Sequence, residues 1–140
     1  MKLTVLLSFV LLILPFSVNF SQTETLTNKD DASRLCDDVL MHLEKSETLP
    51  AMKLLRGKTI EEEKVLTDLI VFIETSSINY GAIQGSNLAK TQAIGEDIFR
   101  FTYALRFEKH PVWLQFYFYK VNDVYQLQKI DWGKNIEELF

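Results

Sequence analysis

The stretch FRFTYALRFEKHPVWLQFYFYK, Phe99 to Lys120, carries nine aromatic residues in twenty-two positions and constrains the fold more than any other part of the chain. Its side chains alternate with a period of two, the period of a half-buried strand and not of a helix. Phe99, Phe101, Tyr103, Leu105 and Phe107 share one face, and Arg100, Thr102, Ala104, Arg106 and Glu108 share the other. The run breaks at Glu108-Lys109-His110-Pro111, where Pro111 fixes its own backbone and turns His110 away from helical geometry. Beyond that turn Val112, Leu114, Phe116 and Phe118 alternate with Trp113, Gln115, Tyr117 and Tyr119. One face of such a ribbon belongs in a core and the other faces water.

A weaker strand is expected from Asn87 to Ile94, preceded by a short extended piece around Ala82 to Gln84. Asn122-Asp123 is a two-residue hairpin turn that pairs Val121 with Val124 and Phe118 with Leu127. Continued without a break, that register sets Lys129 opposite Phe116. A bulge is therefore expected near Gln128, bringing Ile130 or Trp132 back inward. The closing GKNIEELF reads as a short tail or helical turn.

Upstream the period is that of a helix. From about Thr27 to Glu44, Ala32, Leu35, Cys36, Val39, Leu40 and Leu43 recur at spacings of three and four and gather on one face. Thr27 or Asn28 supplies the N-cap, and Asp30 and Asp31 favour the positive end of the helix dipole. Cys36 falls inside the apolar stripe, as a buried small hydrophobe does. KSETLPAMKLLRGK reads as a loop and one short helical turn ending at Gly57. Thr59 and Glu62 then form a capping box for a second helix, whose Val65, Leu66, Leu69, Ile70, Phe72 and Ile73 cover so broad a face that it should be the more deeply buried of the two.

At the N-terminus, Lys2 precedes an apolar run from Leu3 to about Val18, followed by small and polar residues, which is the layout of an export signal. The run falls short of a bilayer span and Pro15 interrupts it, so cleavage near Ser21 is expected rather than a retained anchor. The domain assignment is residues 1–21 as signal peptide and 22–140 as one α+β domain. Hydrophobic residues make up 47% and charged residues 24%, ordinary globular usage. The net charge of −4 is spread over interspersed acids and bases, without the basic stripe of a nucleic-acid binder. The lone Cys36 cannot form an intramolecular disulfide, so the exported fold must rest on its core.

Two helices followed by three or four antiparallel strands give an α+β architecture, with the helices laid across one face of a curved sheet. This order, with FRFTYALRFEKHPVWLQFYFYKVNDVYQLQKIDW, resembles small exported bacterial domains of the cystatin-like or NTF2-like fold. The resemblance implies a conical space between helices and sheet, which some members use for isomerase, hydrolase or dehydratase chemistry through an Asp and His or Asp and Tyr arrangement. Those residues do not transfer here, since the inward positions are Phe, Leu and Tyr.

Candidate chemistry is correspondingly sparse. His110 is expected to be a solvated turn residue, and His42 to sit at the margin of the first helical stripe. Neither has metal-ligand neighbours in the sequence. Acidic runs at Asp30-Asp31, Asp37-Asp38 and Glu61 to Glu63 mark helix starts or solvated faces. The acids, bases and aromatics that could line a pocket are Tyr103, Asp131 and His42, with the Asp131 carboxyl raised in pKa if it is desolvated there. The alternative site is an outward face of Trp113, Tyr117 and Tyr119, whose amphipathic rings suit an interaction surface and cross-strand pairing alike. The expected activity is that of a non-catalytic binding or interaction module, with a small pocket enzyme as the alternative. Its partner would be a protein or a small apolar ligand, a homodimer through the sheet would be one form of this, and no cofactor is implied.

Overall fold

The computed structural model describes residues 25–140; the expected export signal, residues 1–21, lies outside them. Helices α1 (Lys29–Glu44), α2 (Thr48–Arg56) and α3 (Glu63–Tyr80) come first. Strands β1 (Ile83–Ile94), β2 (Ile98–Phe107), β3 (Pro111–Val121) and β4 (Val124–Gly133) follow, and a 3-10 turn at Ile136–Leu139 closes the chain. The fold is α+β, with an antiparallel sheet in the order β1-β2-β3-β4.

The described residues hold three helices where two were expected. The nine-residue α2 stands where the sequence suggests only a loop and one short helical turn, and Pro50 lies within it. Pro50 occupies the first turn, where a missing N–H costs nothing, so it opens the helix instead of breaking it. Helix α1 begins on Asn28, whose Oδ1 accepts from the Asp31 amide at 2.8 Å. It buries all six stripe residues named from the sequence. Helix α3 buries only Leu66, Leu69, Ile73 and Ser76, so α1, not α3, is the more deeply buried helix.

The capping box also fails to form. Glu62 caps α3 without a side-chain bond, and Thr59 serves the sheet instead. Its hydroxyl donates to the Leu127 carbonyl at 3.2 Å and accepts from the Glu61 amide at 3.0 Å. Residues 58–60 run parallel to β4, with the Leu127 amide bonded to the Lys58 carbonyl and the Ile60 amide to the Leu127 carbonyl, both at 3.1 Å. Further along the same strand the Tyr125 amide reaches the Leu26 carbonyl, and the Ile130 amide reaches Glu61 Oε1. Pairing demand at an edge strand outweighs a local cap, since each orphaned amide there costs about as much as a lost hydrogen bond.

Strand parity holds across the middle of the sheet. Phe99, Phe101, Tyr103, Leu105 and Phe107 from β2, and Val112, Leu114, Phe116 and Phe118 from β3, are buried in one core with α1, α2 and Leu69 of α3. Phe72 is only half-buried and packs on Trp132 at the core margin, ring centroids 6.1 Å apart. The expected bulge lies at Gln128: Tyr117 pairs with Lys129 and Phe118 with Leu127, which returns Ile130 to the core opposite Phe116. The sheet is uncurled where a curved one was expected. The central β2–β3 ladder runs without a register shift, and the irregularities fall only on the outer pairs, so no bulge bends the middle.

Candidate functional site

The three residues expected to line a pocket do not meet. Tyr103 points inward and is buried, and its hydroxyl donates to Asp37 Oδ1 at 3.4 Å. Burial, with Cys36 and Asp37 beside it, pushes that phenol well above its ordinary pKa. Asp131 stands on the opposite face of the sheet, in register with Gln115, and accepts from Lys129 Nζ at 2.7 Å. That bond is the main cause of the raised Lys129 pKa. His42 lies in the last turn of α1, where its Nδ1 sits 2.5 Å from Glu47 Oε2. No hydrogen bond joins any two of the three.

The space between helices and sheet, where a conical pocket would lie, is occupied by Phe101, Phe116 and Phe118 from the sheet and by Cys36, Val39 and Leu69 from the helices. Burial raises the Cys36 thiol well above its usual pKa, and the charge of Asp37 adds to this, so the thiol is not a poised nucleophile. Among the described residues no group of three His, Cys, Asp or Glu could hold a metal. Among the described residues, surface clefts beside the sheet include one of about 310 Å³ beside Lys58, Ile60 and Gln126 and one of about 450 Å³ beside Arg106, Lys109 and His110. His110 is not a free turn residue, because it stacks on Tyr80 with ring centroids 4.9 Å apart.

The outward aromatic set divides into three environments. Trp113 is only 9% exposed; its Nε1 donates to the Asn135 carbonyl at 2.9 Å, and the 3-10 turn region folds over it. It is part of the structure of the outer face and not of its exposed surface. Tyr117 is half-buried in a chain of hydrogen bonds that crosses three strands: Arg100 donates to Gln92 and to the Tyr117 hydroxyl, which donates to Gln115. The Arg100 guanidinium and the Lys129 ammonium also lie 5.2 and 5.6 Å from the Tyr117 ring centroid. Thr102, expected to face water, is buried in the same face between Lys90 and Gln115 in register, and its hydroxyl has no partner.

Only Tyr119 of the three remains open, at 44% exposure, and it stands beside two residues that the sequence reading did not single out. Ile94 pairs with Ile98, and Ile98 pairs with Tyr119, so these side chains form a row across β1, β2 and β3 on the outer face. Ile94 is 74% and Ile98 39% exposed. The signal was present in the sequence as an isoleucine on each side of the turn Gly95-Glu96-Asp97, but it becomes a row only once register places both beside Tyr119.

No family model, curated protein or solved structure matches the chain.

Proposed function

We propose that this chain is an exported, non-catalytic interaction module that engages a protein partner through the outer face of its sheet. The observation that carries the reading is the row Ile94–Ile98–Tyr119, three large side chains exposed side by side on the outer face of the sheet. A soluble chain gains nothing from such a row in water, and covering it releases apolar surface at about 25 cal/mol per Å². Export rests on the pattern of residues 1–21. The helix-then-meander order supports a cystatin-like or NTF2-like relationship, from which the third helix and the uncurled sheet depart. A pocket enzyme has less support, because Tyr103 and Asp131 face opposite sides of the sheet and the conical space is filled with apolar side chains.

The test is photo-crosslinking in the native source, with a reactive phenylalanine analogue placed at Tyr119 or, as a control, at the exposed Ile78 of α3. Protein adducts at position 119 and none at 78 are expected. Adducts at neither position, or equally at both, would overturn the reading.

A further inference from the structure

The exposed row has charges of opposite sign on its two sides. Toward the hairpin ends stand Glu96 and Asp97 in the β1–β2 turn and Asp123 in the β3–β4 turn. Toward the middle of the sheet, one step along each strand, the next outward row is Gln92, Arg100, Tyr117 and Lys129. On β1 and β2 the outer face therefore reads, along the strand direction, acidic, apolar, basic, whereas on β3 and β4 Asp123 pairs with Lys120 and Lys129 with Asp131 within the protomer.

Such an order is self-complementary. A two-fold axis lying along the Ile94–Ile98–Tyr119 row reverses the strand direction and keeps each strand opposite its own copy. It sets Glu96 and Asp97 of one protomer against Arg100 of the other, while the apolar rows meet on the axis. That is the pattern of an isologous interface, in which the same patch is used twice. Resting on the interaction reading above, we infer that the occupant of the outer face is a second copy of this chain, docked face to face about the Ile94–Ile98–Tyr119 row.

An edge-to-edge alternative is disfavoured by the build of β1. Register shifts at Gln84 and Ala89 and the charge of Lys90 interrupt its free edge, which are the devices that blunt strand addition. An anionic surface is disfavoured by the three carboxylates at the hairpin ends, which would lie against it. The face-to-face contact overlaps only about three rows near the hairpin ends, spaced about 7 Å apart along the strands, so the dimer belongs to the small, weak class of interfaces.

Sedimentation equilibrium of the protein purified after expression of the full sequence should show a monomer–dimer equilibrium with a Kd on the order of 10–100 µM. Ile98→Glu should abolish it. Asp97→Lys and Arg100→Glu should each weaken it at least tenfold, and the two together should restore it to within about threefold, because each reversed charge meets its reversed partner across the axis. Should Arg100→Glu fail to fold, Tyr119→Glu, at an exposed position of the same row, should also abolish the dimer. A wild-type chain that stays monomeric to about 500 µM, or an Asp97→Lys, Arg100→Glu double variant no better than the singles, would overturn the second copy as occupant. The wider reading fails separately, through the absence of crosslinked protein at position 119.

Discussion

Arg100 donates to the hydroxyl of Tyr117 at 2.9 Å across the β2–β3 pair while its guanidinium carbon lies 5.2 Å from the centroid of the same ring. One cation thus uses both the polar tip and the π face of one tyrosine. Strand alternation makes Arg100 a wet-face residue of little consequence. The bonds to Gln92 and Tyr117 make it a tie between β1, β2 and β3. Arg100→Ala should cost about 1–2 kcal/mol, with a coupling to Tyr117→Phe of about 0.5–1 kcal/mol in a double-mutant cycle read by urea unfolding. Additive single effects would show that the two side chains do not act together.

The two faces of β2 should respond differently to truncation. Phe101 and Phe118 are buried and stack near Phe99, so Phe101→Ala or Phe118→Ala should cost about 3–5 kcal/mol. Ile98→Ser, at an exposed position on the other face, should cost under about 1 kcal/mol in dilute solution. Chemical denaturation at a few micromolar checks both. A large loss at Ile98 would mean that the row belongs to the fold of the monomer.

How much of this was legible depended on whether the signal was local. Parity placed the inward residues of β2 and β3, and the mismatch of Lys129 with Phe116 located the bulge at Gln128, because a period of two leaves a slipped residue nowhere to go. Helix α2 is legible only as a short turn ending at Gly57, because Pro50 is ambiguous in sequence between breaking a helix and opening one. The Thr59–Glu62 box was misread because a local cap competes with a distant strand edge that only the fold brings near. Trp113 seemed exposed by parity because alternation says which face a side chain takes, and not whether a later segment covers it. The row of Ile94, Ile98 and Tyr119 is only half legible: the two isoleucines flank one turn, but cross-strand register alone brings Tyr119 beside them.

The N-terminus of α1 should carry an acid-sensitive contribution to stability. Hydrogen bonds from the Thr27 amide and hydroxyl, chiefly, hold the Asp31 carboxyl below its usual pKa, with smaller help from Asn28 and Arg34. A depressed folded-state pKa means that this stabilisation is present in full above the unfolded value, near 3.8, and is lost as pH falls through the folded value. Asp31→Asn should therefore lower the urea midpoint at pH 7, and the gap from wild type should narrow steadily below pH 3.8. A gap that stays constant from pH 7 to strongly acidic conditions would mean that Asp31 acts through shape and not through charge.

The cover over Trp113 should be the most sensitive point of the outer face. A Cβ added at Gly133 would stand 2.5 Å from Trp113 Cζ2, and the indole cannot retreat without losing its bond from Nε1 to the Asn135 carbonyl. Gly133→Ala should cost about 1–3 kcal/mol, as overpacking does, although Gly133 itself needs no left-handed backbone. Tryptophan fluorescence separates this from a general loss of stability: in the folded variant the emission should shift to the red as the indole leaves its buried seat. Trp113→Phe keeps the ring volume small enough to fit beside an alanine, so the double variant Trp113→Phe with Gly133→Ala should recover part of the loss. Failure of that rescue, with unchanged emission in Gly133→Ala, would show that the 3-10 turn and not the glycine sets the position of the indole.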